Sequence, residues 1–192
     1  MQPLDMRDIA IIDAFPHRCQ KKVLNVGCGE GRIDWHLAKI GYRVYATDIE
    51  KPEYNEIPFP HDLTVYRSDI FDLSSFPIKS SPIVICSQVL EHLKGYKLAL
   101  VHLLALTEVR LIITVPFRES FFSPGHINFW DDGSFVWTKS TPTDFKEFKG
   151  IDEFIDLCAP YSTTISKIRT KPEDVEKGQW NHLIVVDKRQ NI

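Results

Sequence analysis

Short apolar segments that alternate with helix-forming segments constrain the fold of this chain most strongly. The strand-like runs lie at residues 23–26, 43–49, 63–70, 82–90 and 110–117. Between two of them, Ile33, Leu37 and Ile40 share one helical face, and Gly41 is placed to end that helix. Near-continuous apolar strands joined by helices predict an α/β fold, a parallel sheet covered by helices on both faces.

The C-terminal segments differ from this alternation. A helix is predicted around residues 151–158, whereas residues 162–170 and 180–188 read as strands with no helix between them. Strands joined in this way are more naturally antiparallel. We therefore expect one domain spanning residues 1–192, with a helical N-terminal region at 1–20 and a mostly parallel open sheet finished by an antiparallel pair.

Composition excludes several classes of protein. The formal charge is −3 and the pI about 6.2, so a basic nucleic-acid-binding face is not expected. No apolar run approaches the roughly 20 residues of a membrane span, and the first ten residues have no secretory apolar core. The four cysteines form no CxxC pair, which predicts reduced thiols in a cytoplasmic protein and no metal site. The oligomeric state is not predicted.

A glycine-rich turn, VGCGEG, follows the first strand and precedes a helix. Gly27, Gly29 and Gly31 allow a tight turn and a close approach of a ligand to the main chain around Cys28. The dinucleotide fingerprint is GxGxxG, but here Arg32 takes the place of its third glycine. The spacing favours a nucleoside ligand without a pyrophosphate over a dinucleotide; a turn that binds nothing is the alternative.

Two acids follow the next two strands. Asp48 is placed to accept hydrogen bonds from ribose hydroxyls, and Asp69 to meet an exocyclic amine. Ile49 and Ile70 follow these acids and are placed to enclose a planar base. The alternative for Asp48 is a helix cap or a solvated turn acid, and the alternative for Asp69 is a turn acid.

The segments VLNVGCGEG, VYATDI, YRSDI and VICSQVLEHL resemble the class I S-adenosylmethionine-dependent methyltransferases, in particular the broad type 11-like group acting on small molecules and lipids. The resemblance runs from about residue 20 to 131. It implies a three-layer αβα sandwich with seven strands in the order 3-2-1-4-5-7-6 and strand 7 antiparallel. It also implies S-adenosylmethionine as cofactor and S-adenosylhomocysteine as product.

The resemblance assigns roles to individual residues. The glycines would cradle the methionine and ribose of the cofactor, while Asp48 would hold the ribose and Asp69 the adenine amine. Ser87 to Val89 would line the donor site. The implied cofactor-binding set is Asn25, Gly27, Cys28, Gly29, Gly31, Asp48, Ile49, Asp69, Ile70, Ser87, Gln88 and Val89.

Two positions depart from the common pattern of that family. Asn25 stands where many members have an acid, and Ser81 with Pro82 replaces the acid usually found before the fourth strand. An amide can still bond the ammonium group of the cofactor, with less electrostatic help. Because of Asn25, a methyltransferase-like scaffold without catalytic activity stays an alternative interpretation.

Three residues are candidates for proton removal from an acceptor. Glu91 and His92 follow the fourth strand, and His126 lies just beyond the fifth. The alternative for each is a structural hydrogen bond in its turn or loop.

Aromatic residues are concentrated in an insertion at residues 117–150. Those predicted to form a substrate wall are Phe117, Phe121, Phe122, Phe129 and Trp130, followed by Phe135 and Trp137. A small satellite core under a long loop is an equal alternative.

Together these features predict transfer of a methyl group to an oxygen or nitrogen atom of a small, partly apolar acceptor. Methylation of RNA or protein is the second possibility, although no basic stripe supports it, and an idle scaffold is the third. Arg32 in the glycine turn argues against an NAD-dependent oxidoreductase.

Overall fold

The computed structural model describes residues 3–50, 60–72, 76–117, 125–131, 147–170 and 180–188. The strands are β1 Lys22–Val26, β2 Arg43–Asp48, β3 Leu63–Arg67, β4 Ser81–Ser87, β5 Thr107–Phe117, β6 Asn128–Asp131, β7 Glu147–Gly150, β8 Ser162–Arg169 and β9 Trp180–Asp187. The helices are α1 Met6–Asp13, α2 Arg32–Lys39, α3 Tyr96–Leu106 and α4 Glu153–Leu157, with a 3₁₀ turn at Leu90–His92.

Seven strands form one sheet in the order β3-β2-β1-β4-β5-β9-β8. The pairs from β3 to β5 are parallel, and β9 is antiparallel to both of its neighbours. Numbered within this sheet, β8 and β9 are the sixth and seventh strands. The predicted order 3-2-1-4-5-7-6 with strand 7 antiparallel is therefore confirmed.

Two helical layers cover the sheet because successive strand side chains point to opposite faces. Along β1, Leu24 and Val26 pack into the core beneath α3 and α4, whereas Val23 packs with α1 and α2. The buried strand residues on both faces are mostly Val, Ile and Leu. This packing confirms the predicted three-layer arrangement and fixes one edge of the sheet, at the carboxyl ends of β1, β2 and β4, as the place where loops converge.

Glycines delimit α2 as the sequence predicts. Gly31 precedes its first residue with φ of 70°, and Gly41 follows its last turn with φ of 88°. Both angles lie in the left-handed region that side chains disfavour. The helix is thus placed directly behind the glycine turn.

A second, two-stranded sheet pairs β6 with β7 in parallel, inside the region that the sequence left as irregular. Trp130 of β6 is buried between Tyr96 and Phe154, with ring centroids 5.3 and 5.4 Å away, and its Nε1 donates to Glu153 Oε1 at 2.6 Å. Pairing partners far apart in sequence leave no local pattern, which explains why this sheet was not predicted.

Three aromatic residues of the insertion are packed inside the protein. Phe117, Phe129 and Trp130 are all buried, and Trp130 joins the core beneath α3 and α4. Phe121, Phe122, Phe135 and Trp137 lie outside the described residues. Burial of the three rings agrees with a packing role, and a substrate wall stays a prediction.

All four cysteines are free thiols, and Cys86 and Cys158 are buried. Burial raises the pKa of Cys158 to about 11. Burial, with a smaller contribution from Glu91, also raises the pKa of Cys86. These two thiols are protonated at neutral pH and are poor nucleophiles. Among the described helices, none has the length and apolar character needed to cross a membrane.

Candidate functional site

A cavity of about 530 Å³ lies at the carboxyl ends of β1, β2 and β4. Its volume falls in the range of small-molecule sites, roughly 300–1,000 Å³. The predicted residues that line it are Asn25, Gly27, Cys28, Gly29, Gly31, Asp48, Ile49, Ser87, Gln88, Val89 and His92. The fold therefore brings ten of the twelve predicted cofactor residues and one predicted catalytic residue to one cavity.

Hydrogen bonds from the amides of the glycine turn fasten the turn to β2. The Gly27 and Cys28 amides donate to Thr47 O at 2.8 and 3.1 Å, and the Gly29 amide donates to Asp48 Oδ2 at 2.8 Å. Gly27 and Gly29 have φ angles of 77° and 53°. The turn thus presents bare main chain next to a carboxylate, which suits a ligand that carries hydroxyl groups.

Gly27 and Gly29 need to be glycine for different reasons. A Cβ on Gly27 would lie 2.2 Å from Val89 Cγ2, so the turn packs tightly against the end of β4. A Cβ on Gly29 would meet no atom within 4 Å and would project into open space beside the cavity. Gly27 serves the packing of the turn, whereas Gly29 leaves room for a ligand.

These surroundings separate the effects of two substitutions. We expect Gly27→Ala to lower the free energy of unfolding by roughly 2–4 kcal/mol, since it adds overpacking to backbone strain. Gly29→Ala should lower it by only about 1–2 kcal/mol, from strain alone, while weakening cofactor binding about tenfold or more. Urea unfolding and calorimetry with S-adenosylhomocysteine measure both quantities. Equal losses of stability in the two variants would contradict this distinction.

The end of β4 is fixed by Thr114 of β5, a residue that sequence patterns did not single out. Ser87 Oγ lies 2.7 Å from Thr114 Oγ1, Gln88 Nε2 donates to the same oxygen at 3.2 Å, and the Gln88 amide donates to Thr114 O at 2.9 Å. Gln88 has a φ of 58°, which is unfavourable for a side-chain-bearing residue. Such strain is concentrated at functional sites, and here it shapes the cavity wall.

Asn25 forms a buried pair with Asp34 of α2. Asn25 Nδ2 donates to Asp34 Oδ1 at 2.9 Å, and the two residues are 2% and 0% exposed. Desolvation by burial raises the pKa of Asp34 to about 7, against the opposing hydrogen bond from Asn25. Asn25 Oδ1 has no hydrogen-bond partner among the described residues, so it fits a donor such as an ammonium group.

Asp34 should make the stability of the protein depend on pH. Its carboxyl holds a proton more tightly when folded than when unfolded, where its pKa is 3.8. Between pH 3.8 and about 7 the carboxyl ionises in the unfolded state but stays protonated in the folded state, so the free energy of unfolding falls as the pH rises through this range. Above about pH 7 this contribution no longer changes. We expect Asp34→Asn to stabilise the protein more at pH 8 than at pH 5, by roughly 2–3 kcal/mol.

Urea unfolding at the two pH values checks this expectation. Asp13→Asn, at an exposed position of α1, is the matched control and should show no such difference. A pH-independent effect of Asp34→Asn would mean that this carboxyl titrates normally.

Arg32 links the glycine turn to the N-terminal helix, a role that the sequence did not predict. Its guanidinium contacts Asp5 Oδ2 at 2.8 Å and Asp8 Oδ2 at 2.7 Å. Burial would lower the pKa of Arg32, but the two carboxylates raise it, so the cation is permanent. Arg7, Asp8 and Arg32 all line the cavity, and α1 thereby forms one of its walls.

Asp69 and Ile70 do not line this cavity. Asp69 Oδ1 accepts a hydrogen bond from the Phe71 amide at 2.9 Å, and Ile70 is buried in the core. Ile49, in contrast, lines the cavity and is 61% exposed. The roles of Asp69 and Ile70 at an adenine base stay predictions.

The three candidate acid–base residues lie together. Glu91, His92 and His126 each place one oxygen or nitrogen atom within 4.8 Å of the others. The two imidazole rings are 4.6 Å apart between centroids, in an edge-to-face arrangement. Only His92 also lines the cavity, so the cluster adjoins the cavity at that residue.

Comparisons with known proteins agree with this geometry. Residues 24–106 match the model of a family described as a methyltransferase domain. No curated protein matches the sequence.

Solved structures share the fold at low sequence identity. Magnesium protoporphyrin IX methyltransferase from Synechocystis PCC 6803, with bound SAH, is 17% identical over 87% of this chain and 74% of that chain, with a TM-score of 0.60. A SAM-dependent methyltransferase from Archaeoglobus fulgidus is 19% identical over 95% of this chain and 91% of that chain, with a TM-score of 0.61. A Burkholderia thailandensis 1,6-didemethyltoxoflavin-N1-methyltransferase is 17% identical over 88% of this chain and 71% of that chain, with a TM-score of 0.62. At these identities the likeness establishes the fold alone.

Proposed function

We propose that this chain, which belongs to the class I S-adenosylmethionine-dependent methyltransferase superfamily, transfers a methyl group to a small-molecule acceptor. The match to the methyltransferase domain and the shared fold support membership of this superfamily, and S-adenosylmethionine is accordingly the cofactor. The choice of a small acceptor is our inference from the site and from the charge of the chain.

The single observation that best supports the proposal is the cavity formed by the glycine turn, Asp48 and the end of β4. Asp48 Oδ2 already accepts from the Gly29 amide, which orients the carboxylate toward the turn. Carboxylate oxygens have further lone pairs and can accept both hydroxyls of a ribose. We assign ribose binding to Asp48 and the cradle to Gly29.

The methionine end of the cofactor carries an ammonium and a carboxylate, and the cavity offers groups for both. Asn25 Oδ1 suits the ammonium because it lacks another hydrogen-bond partner in the described structure. Arg7 and Arg32 also line the cavity, and a guanidinium that keeps free N–H groups beside its Asp5 and Asp8 contacts suits the carboxylate. Asp34, behind Asn25, keeps an acid close to the position where many relatives carry one.

The sulfonium of the bound cofactor supplies an activated methyl group, which leaves by in-line displacement. The chain needs mainly to align the acceptor with that methyl group, and such alignment contributes up to roughly 7–11 kcal/mol in ideal models. Ser87, Gln88 and Val89 lie at the end of β4, where Thr114 and the strained Gln88 backbone fix the wall. A rigid wall of this kind suits alignment.

One feature favours a small acceptor over RNA. The net charge of −3 does not favour binding of a polyanion. Phe129 and Trp130 are buried and support the segment that carries His126 from inside the protein. The partly apolar character that we propose for the acceptor rests on the aromatic composition of the insertion.

The experiment that tests the proposal follows tritium from the methyl group of S-adenosylmethionine. The protein is incubated with a cell extract separated into small-molecule, RNA and protein fractions. We expect label in the small-molecule fraction and its loss in the Asp48→Ala variant. Label confined to RNA or protein would overturn the proposed acceptor class, and absence of both label and cofactor binding would identify an idle scaffold.

A further inference from the structure

We propose that Glu91, His92 and His126 form a divalent metal site beside the cofactor cavity, and that the site binds the hydroxyl group of the acceptor. The part of this proposal that concerns the acceptor rests on the methyltransferase function proposed above. The sequence predicted no metal site because the cysteines are unpaired and these three residues come from two segments that only the fold brings together.

The donor atoms are the first support. Two imidazoles and one carboxylate are the ligand set of several catalytic zinc sites and of non-haem iron sites. One donor atom of each residue lies within 4.8 Å of the other two. Metal bonds of about 2.1 Å place tetrahedral ligand atoms roughly 3.4 Å apart. Closure therefore needs at most about 1.4 Å of movement from the 4.8 Å limit, which rotation of the half-buried His126 side chain can supply.

The hydrogen bonding of His92 is the second support. Its Nδ1 lies 2.9 Å from the carbonyl oxygen of Gly125. Because a carbonyl oxygen only accepts, Nδ1 is the donor in this bond, and Nε2 is the ring nitrogen left to bind a metal. Metal-binding histidines are commonly oriented in this way, by a bond from the other ring nitrogen to a backbone carbonyl.

The two segments that carry the ligands are fastened to each other. The Ile127 amide donates to Glu91 O at 2.7 Å, while Asn128 Nδ2 donates to Leu90 O at 2.9 Å and to Leu93 O at 2.7 Å. Lys149 Nζ in turn donates to Asn128 Oδ1 at 2.9 Å. These bonds fix the backbone on both sides of the cluster, so its geometry is built into the fold.

The burial of the cluster is graded. Glu91 is 1% exposed, His126 is half-buried, and His92 faces solvent at the cavity. Buried carboxylates are stabilised by coordinating a metal. Three protein ligands also leave a coordination position open, as in catalytic rather than structural sites. His92 connects that open position with the cavity that would hold the methyl donor.

This arrangement defines the acceptor as an alcohol or a phenol. A divalent cation lowers the pKa of a coordinated hydroxyl, whose proton passes to solvent. The oxygen lone pair then forms a bond to the methyl carbon while the carbon–sulfur bond breaks and its electron pair goes to sulfur. The products are a methyl ether and the neutral thioether, S-adenosylhomocysteine.

Cobalt(II) is the probe, because its visible absorption reports the number and type of its ligands. Untagged protein is treated with a chelator, freed of it, and titrated with CoCl₂. We expect saturation at one equivalent, with at least tenfold weaker binding in Glu91→Gln and in His126→Ala. His17→Ala, at an exposed position outside the cluster, is the control and should bind as the wild type does.

Each outcome is decisive. Saturation of the wild type with loss in both variants supports the site, whereas weak binding that neither variant changes overturns it. Circular dichroism establishes that each variant is folded, and His126→Ala, in a loop, keeps the test valid if Glu91→Gln unfolds. Asp48→Ala should retain cobalt binding while binding the cofactor more weakly. Cofactor binding without cobalt binding would overturn the metal site and leave the proposed function standing.

Discussion

Asp48→Ala is expected to weaken binding of S-adenosylmethionine about 10- to 100-fold, with little change in stability. Hydrogen bonds to charged groups contribute about 1.5–3 kcal/mol each, and each 1.4 kcal/mol corresponds to about a factor of ten. The variant loses the ribose acceptor and also the carboxylate that holds the Gly29 amide at 2.8 Å. Titration calorimetry with S-adenosylhomocysteine measures the loss without requiring turnover.

The control for this prediction is Asp62→Ala, which removes an exposed carboxylate directly before β3 and outside the residues that line the cavity. Its net charge changes by the same amount, so a general electrostatic effect would weaken binding in both variants. Affinity that is equal in wild type and Asp48→Ala would remove Asp48 from the ribose site. It would also leave the orientation of the glycine turn without a function.

His126→Ala is expected to slow methyl transfer about 100- to 10,000-fold, the range seen when proton removal from an acceptor is lost. It should change cofactor affinity by less than about threefold, since His126 does not line the cavity. The physical reason is the role that we propose for the cluster with Glu91 and His92 in binding the acceptor hydroxyl. The rate of tritium transfer into the small-molecule fraction measures the effect.

The metal dependence of turnover distinguishes a role of His126 in metal binding from a purely structural role. Wild-type turnover should fall after chelation and recover when a divalent metal is restored, whereas turnover of His126→Ala should respond to neither treatment. His17→Ala should behave as the wild type does. A normal rate in His126→Ala would assign this histidine to the packing of its loop, where its ring lies 6.2 Å from that of Phe129.

The features predictable from sequence were those with a local pattern. The alternation of strand-like and helix-like periodicity predicted the strands and helices of the main sheet. The absence of a helix between residues 162–170 and 180–188 indicated the antiparallel pair. The full strand order was implied by the family resemblance. The spacing of the glycines located the turn, because the positive φ angles at Gly27 and Gly29 favour glycine at these positions. The position of Asp48 beside this turn was also predictable, because the carboxyl ends of parallel strands meet at one edge of the sheet.

What the sequence concealed depends on contacts between distant segments. Arg32 meets Asp5 and Asp8 across the N-terminal helix, and no spacing rule predicts ion pairs between separate helices. Thr114 supports the end of β4 only because β5 pairs with that strand.

The sequence contained a weak indication that Asp34 is buried. It stands on the helix face of Leu37 and Ala38, and both of those residues are buried. A polar residue on an apolar helix face indicates either a buried partner or a ligand nearby. Here the partner is Asn25, the residue that departs from the common pattern of the resembled family, and a buried hydrogen bond joins the two side chains.

A crystal structure with S-adenosylhomocysteine tests the central claim most directly. The account predicts the ribose hydroxyls within hydrogen-bond distance of Asp48, the main chain of Gly29 against the ligand, and the sulfur facing Ser87 to Val89. Ligand density at any other place, or a cavity filled by side chains at a saturating concentration of the compound, would contradict it.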